Sequence, residues 1–327
     1  MKIGFIGLGN IGSKLASSLL RNGKDVTVHD LNHAAAQPLI TQGAGWADSP
    51  REMAALCDVV ITCLPSPAAS RAVMTAEDGL LAAMSAGKIW LEMSTTDEVE
   101  VKALGKLVVE RGGRPVDCPV SGGCHRADTG NISIFAGCSR ETFELVLPLL
   151  TTMGRRILHT GALGSASILK VVTNYLATVN LVSVAEALMV SKLANMDLNI
   201  AFEAIAISSG TSFVHETEGQ MILSGSRDVS FTMDLVLKDT GLFQEVANRA
   251  GIKLELSPLI VDIFKDGVAK YGARELSPNI IRRLEDQMGE RVLAPGFPTE
   301  MLDTEPEVPG YEVTPQDRSQ TGGALNI

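Results

Sequence analysis

Two stretches decide the fold: Lys2-Ile3-Gly4-Phe5-Ile6-Gly7-Leu8-Gly9-Asn10-Ile11-Gly12, and then Val26-Thr27-Val28-His29-Asp30. The apolar run Lys2–Ile6 reads as a buried strand. A G-x-G-x-x-G turn follows it directly and opens a helical pattern over residues 12–22. Gly7 suits a tight turn, Gly9 lets a pyrophosphate approach the backbone, and Gly12 lets the helix pack on the strand. A second strand ends in an acid, Asp30, 18 residues after Gly12. The helix N-terminus favours phosphate oxygens, and a carboxylate at that place accepts hydrogen bonds from ribose hydroxyls. The order strand, turn, helix, acid therefore predicts a dinucleotide site built by Gly7, Leu8, Gly9, Asn10, Ile11, Gly12 and Asp30. Asp30 would repel a 2′-phosphate and no Arg follows it closely, which favours NAD over NADP. A plainer role for Asp30 is to cap the turn that follows it.

Outward from this stretch, strand candidates (26–30, 59–64, 89–92, 115–119, 132–136) alternate with helical patterns (50–56, 98–111, 140–153). Such alternation predicts a parallel sheet with helices on both faces. The pattern changes near Gly161. Residues 165–194 keep apolar positions at helical spacing with no Pro or Gly inside, and 199–208, 213–223, 233–250, 258–271 and 278–290 also read helical. Ser257-Pro258 and Ser277-Pro278 read as N-caps followed by Pro at the first helical position. The fold class is thus α/β: an N-terminal Rossmann domain (1–162), a long connecting helix leading an all-α C-terminal domain (163–290), and an extended, acidic, Pro-rich tail (291–327).

Composition narrows the function. The chain has 327 residues, 45% hydrophobic and 20% charged, with a formal net charge of −10. It can bury sizeable cores, and its acidity disfavours nucleic-acid partners. Five cysteines (57, 63, 118, 124, 138) without a C-x-x-C pair read as free thiols in a reducing, cytoplasmic setting. The N-terminus lacks a signal-peptide pattern, and no stretch of about 20 uncharged apolar residues predicts a membrane span. The five histidines lack metal-ligand spacing, so no metal is expected.

Proton handling is the next question. There is no Tyr-x-x-x-Lys. Lys170 stands near the start of the long helix among small and apolar residues, and Asn174 shares its face one turn on. A partly buried lysine loses pKa by desolvation and can exchange protons near neutral pH. The alternative is a lysine that snorkels from a helix end. Ser121-Gly122-Gly123 closes a strand in a turn whose hydroxyl and amides can hold a carboxylate. Lys238-Asp239 brings a further lysine into a mostly apolar helical start. Each of these taken alone also has an ordinary structural reading.

Together and in this order, the segments resemble the β-hydroxyacid dehydrogenase family, the group of the 3-hydroxyisobutyrate dehydrogenases and tartronate semialdehyde reductases. The resemblance runs from residue 2 to about 289. It rests on GLGNIG at 7–12, ITCLP at 61–65, MSTT at 93–96, DCPVSGG at 117–123, the G-x5-K-x3-N element at 164–174, and KD at 238–239. It implies that Lys170 is the general acid/base and that Asn174 helps place the substrate. It implies that Ser121, Gly122 and Gly123 bind the substrate carboxylate, and that Lys238 approaches substrate or nicotinamide. Leu64, Pro65 and Thr95 would line the nicotinamide and ribose. The implied activity is NAD-dependent interconversion of a small 3-hydroxy acid, or a sulfonate analogue, with its semialdehyde. The implied assembly is a homodimer or homotetramer through the helical domain. Imine reductases and 6-phosphogluconate dehydrogenases are alternatives; the first usually lack the lysine present here, and the second are usually much longer. A non-catalytic nucleotide-binding scaffold is a third.

One departure from the family pattern stands out. Where relatives carry a small Gly-Ala pair, this chain has His125 and Arg126. Either the loop turns outward and the pair is solvated, or Arg126 or His125 reads a second anionic group of the substrate, such as a distal carboxylate or a sulfonate, for which the Arg fork of donors is suited.

Overall fold

The computed structural model describes residues 1–316. Its strands are β1 (Lys2–Ile6), β2 (Asp25–His29), β3 (Gly45–Trp46), β4 (Val59–Thr62), β5 (Ile89–Glu92), β6 (Arg114–Asp117), β7 (Val120–Ser121), β8 (Ser133–Gly137), β9 (Arg156–Gly161) and β10 (Tyr311–Glu312). They form one sheet in the order β10-β9-β8-β6-β5-β4-β1-β2-β3, with β7 beside β8. β1 to β6 run parallel, whereas β8 is antiparallel to β6 and β7 and parallel to β9. β4 and β5 are buried at every residue, as a sheet covered by helices on both faces requires. Chain order reverses at β1: successive strands go one way to β3 and the other way to β6. The carboxyl ends of β1 and β4 therefore border the crevice where ligands bind in such sheets.

Helices His33–Thr41, Pro50–Leu56, Pro67–Thr75, Glu98–Glu110 and Arg140–Leu150 flank the sheet. Ser49 and Ser66 accept from Glu52 N and Ala69 N, and a Pro opens each helix behind them. The same reading fails at the two later Ser-Pro pairs. Helix Leu256–Tyr271 begins one residue before Ser257 with Glu255 at its N-cap, and Ser277 lies inside a 3₁₀ turn capped by Leu276. Proline is tolerated throughout a first turn, because none of those N–H groups has an intrahelical acceptor, so Pro258 does not mark the start. The expected helix over 213–223 is also broken in two at Thr217.

The long helix Ser165–Leu193 begins against the sheet and ends inside a second, helical unit. By length and composition it is long and apolar enough to cross a membrane, contrary to the sequence expectation that no segment is. It is a packed core helix: Val171, Leu181, Val184, Ala185 and Leu188 are buried, the last four in a cluster with Phe202, Met233, Val236, Phe264 and Ile281. β9, one strand in from the end of the sheet, was not anticipated. Only one of its six residues is buried, so its apolar alternation is weak. Residues 291–316, the described part of the expected 291–327 tail, carry no helix, and β10 within them pairs with β9; the rest of that expectation lies outside the described residues.

Candidate active site

The nucleotide turn is built as its glycines demand. A Cβ on Gly7 would stand 2.3 Å from Cys63 O, and one on Gly12 would stand 2.0 Å from Gly7 O. Gly7 also has φ +95°, a region that favours glycine. A Cβ on Gly9 would meet nothing within 4 Å among the described residues, so the backbone there faces open space. Ile11, the N-cap of helix Gly12–Arg21, makes no side-chain cap bond, which leaves the helix N-terminus without a side-chain acceptor. A dinucleotide pyrophosphate fits this cradle. Asp30 caps the turn that follows it, the plainer of its two expected roles, and it also ties the Gly-rich turn to the end of β2. Its carboxylate accepts from Leu8 N (2.7 Å), which ties it to the Gly-rich turn, and from Asn32 N (2.8 Å), which caps the next turn. Asn10 Nδ2 donates to Ser230 O (3.3 Å), a contact that reaches from the first unit to the second.

The loop after β4 is held from beneath. Leu64 N donates to Ser94 Oγ (2.7 Å), and Ser94 N donates to Glu92 Oε1 (3.0 Å), which the Ser94 hydroxyl also contacts. Burial pushes the Glu92 carboxyl up to about 7. Leu64 is partly buried beside Pro65 at the exposed rim, and Thr95 follows on the loop after β5.

Four side chains join the two units in one line. Lys170 Nζ donates to Asn174 Oδ1 (2.8 Å), and Asn174 Nδ2 donates to Asp239 Oδ2 (2.5 Å). Lys238 Nζ pairs with Asp239 Oδ1 (2.9 Å) and donates to Thr95 O (3.0 Å). Lys170 is 8% exposed. Burial lowers its ammonium to about 8; Asp239 opposes that shift and Lys238 adds to it. Snorkelling to solvent is therefore not what this lysine does. One turn earlier, Ser167 N and Oγ donate to buried Asp117 (2.7 and 2.8 Å), which anchors the helix start to the end of β6.

Ser121, Gly122 and Gly123 follow at the end of β7, the glycines at φ +129° and +89°. No hydrogen bond joins them to the lysine line among the described residues. His125 and Arg126 sit on a short helix, Cys124–Asp128, rather than on an outward loop. The His125 ring covers Gly123 and the Arg126 stem covers Gly122. The Arg126 guanidinium lies 4.9 Å above the Phe213 ring of the helical unit and 3.7 Å from Glu305. Sequence reasoning missed Asp239, Glu92 and Glu305 as parts of this region. Asp239 stood beside a chosen lysine, but its bond to Asn174 spans 65 residues and leaves no local signal.

Two sequence families match this chain. The NAD-binding domain of 6-phosphogluconate dehydrogenase matches residues 2–161, and the NAD-binding domain of NADP-dependent 3-hydroxyisobutyrate dehydrogenase matches 164–284. The chain is 34% identical to the 2-(hydroxymethyl)glutarate dehydrogenase of Eubacterium barkeri, covering 89% of this chain and 97% of that one. It is 28% identical to the 3-sulfolactaldehyde reductase of Escherichia coli K12, over 84% and 92%. A solved 3-hydroxyisobutyrate dehydrogenase from Salmonella typhimurium superposes with a TM-score of 0.78 at 26% identity, over 86% of this chain and 99% of that one. An imine reductase from Myxococcus stipitatus, at 16% identity and a TM-score of 0.58, shares the fold alone. Two matched families that together span residues 2–284, and full-length relatives with dehydrogenase names, fit the cradle and the lysine line described above: the chain belongs to the β-hydroxyacid dehydrogenase family and is a nicotinamide-dependent dehydrogenase.

Proposed function

We propose that the protein interconverts a small 3-hydroxy acid, or a sulfonate analogue, with its semialdehyde, using NAD(H), and that Lys170 is the general acid/base. The carrying observation is the buried Lys170 held by Asn174, which is itself held by Asp239. An amide oxygen only accepts, so the Lys170 amine spends an N–H on Asn174 and keeps its lone pair free for a substrate hydroxyl. A pKa lowered to about 8 leaves that amine able to take a proton, and its ammonium able to return one, near neutral pH. The bound nicotinamide supplies hydride acceptance and donation. The residues to hold it are the 7–12 turn with Asp30, and Leu64, Pro65, Thr95 and Lys238 at its reactive end.

Ser121, Gly122 and Gly123 take the carboxylate handle, and Arg126 beside them takes a second anionic group where the substrate has one. The names of two relatives, a hydroxymethylglutarate dehydrogenase and a sulfolactaldehyde reductase, suit a small anionic substrate. Exposed Leu176, Val190 and Leu193 on the long helix support a homodimer or homotetramer joined through the helical unit.

The test is a screen of 3-hydroxy acids, semialdehydes and sulfonate analogues with NAD(H) and NADP(H). Turnover is expected with at least one of these pairs and faster with NAD(H), because a carboxylate at Asp30 would repel a 2′-phosphate. Absence of turnover across the panel contradicts the proposal. Asp239→Asn is expected to lower kcat by up to about 10²-fold through misplacement of Asn174 and Lys170. It also moves the Lys170 limb of the pH profile to lower pH, since Asp239 is the group that raises that pKa. A merely structural loss would leave the limb in place.

A further inference from the structure

Residues 292–313 form a strap from one unit to the other, and the strap delivers Glu305 to Arg126. At its root, Val292 N donates to Glu285 Oε1 (2.9 Å) and Ala294 N to Leu223 O (2.9 Å), while Phe297 stands edge-on to Phe202 (5.0 Å). Six residues after Phe297 the strap is on the sheet unit. There Asn131 Nδ2 donates to Asp303 Oδ2 (2.8 Å) and to Glu305 O (2.9 Å), and Asn22 Nδ2 donates to Glu307 Oε1 (3.3 Å). Beyond it, Tyr311 N and Val313 N donate to Arg155 O and Ile157 O (3.0 and 2.7 Å). Anchors on both sides thus fix the backbone of Glu305. The two matched families cover residues 2–161 and 164–284, so the strap lies outside both.

Glu305 holds Arg126 only loosely. The pair is 3.7 Å apart, and Glu305 is shared with Arg156 at 3.9 Å. Arg126 Nε is buried and has no hydrogen-bond acceptor among the described residues. A buried guanidinium N–H without an acceptor is costly, and an anion that reaches it gains that energy. The Arg126 stem meanwhile covers Gly122, so the head stands at the seam between the Ser121–Gly123 turn and Phe213 of the helical unit.

We infer that Glu305 is a specificity-determining residue, a tethered carboxylate that competes with the distal anionic group of a substrate for Arg126. This rests on the proposed placement of the substrate carboxylate at the Ser121–Gly123 turn. A mono-anionic substrate leaves the Arg126–Glu305 pair alone. A di-anionic one must displace Glu305, and the strap, pinned at Asn131, keeps the competitor at high local concentration.

The experiment compares wild type, Glu305→Gln, Arg126→Ala and the double variant on a 3-hydroxy monocarboxylate and on the 3-hydroxy dicarboxylate of matched chain length. Glu305→Gln is expected to raise kcat/KM for the dicarboxylate about three- to fivefold, the weight of a half-exposed ion pair, and to leave the monocarboxylate nearly unchanged. The gain disappears in the Arg126→Ala background. Equal changes on both acids, no change in their ratio, or a gain that survives without Arg126 overturns the assignment. The same ratio is read without turnover by NADH-fluorescence titration of the two acids into Lys170→Ala and Lys170→Ala/Glu305→Gln. A Glu305-dependent ratio in that titration, with no turnover of either acid by wild type, overturns the proposed reaction and leaves the assignment of Glu305 standing.

Discussion

Lys170→Ala is expected to lower kcat at least about 10²-fold in both directions, the ordinary weight of a positioned general acid/base. Cofactor affinity should change little, because the pyrophosphate cradle at 7–12 and Asp30 belong to the other unit and make no contact with this side chain in the hydrogen-bond network. The reason for a large effect is geometric. Lys170 is buried, its N–H is committed to Asn174, and Asn174 is committed to Asp239. No second side chain in that line can take over: Asn174 does not titrate, Lys238 is held by Asp239 and Thr95 O, and Asp239 is engaged on both oxygens. Stopped-flow measurement of NADH formation and fluorescence titration of NADH separate the two effects. A variant within about threefold of wild type would remove Lys170 from the chemistry, since that is far below what this catalysis contributes.

The largest loss of stability is expected at Glu285, far from the site. Arg227 and Glu285 form a buried ion pair at 2.9 Å, with side chains only 6% and 1% exposed. Glu285 also accepts from Arg291 (3.1 Å) and from Val292 N (2.9 Å), so it anchors both a buried cation and the strap root. Arg227 is held at φ +58°, a strained place for a residue with a Cβ. Glu285→Ala leaves the guanidinium buried without a counter-charge, which costs about 3–5 kcal/mol. The urea midpoint of the helical unit should fall accordingly. Arg227→Met/Glu285→Leu, which removes both charges, should recover much of the loss, because a buried pair replaced by apolar groups is often close to neutral. A Glu285→Ala loss below about 1 kcal/mol would mean that Arg227 finds water, as a surface pair does.

Much of this architecture was legible in residue order. The nucleotide turn was readable because its demands are local: Gly7 and Gly12 each face a backbone oxygen within 2.3 Å of where a Cβ would stand. The long helix was readable because 29 residues carry no Pro or Gly. Three things were not readable, for physical reasons. The Ser-Pro pairs misplaced two helix starts, because proline marks a first turn without marking its first residue. The Asn174–Asp239 bond depends on two helices meeting, which no local pattern reports. The strap has no apolar periodicity at all. It is held by carboxylates at 303, 307 and 312 and by backbone bonds to β9, so its composition reads as a tail while its partners lie on another unit. The His125–Arg126 departure was visible, but the carboxylate that meets it is 179 positions away in the chain.

The central claim is that Lys170 carries the proton, and the pH dependence of kcat in the two directions tests it most directly. Oxidation needs the neutral amine, so kcat should rise with pH and level off above about 8; reduction needs the ammonium, so kcat should fall as pH passes about 8. Both limbs should vanish in Lys170→Ala, leaving flat, slow profiles. Opposed limbs near 8 that persist in Lys170→Ala would contradict the account, because another group would then be handling the proton.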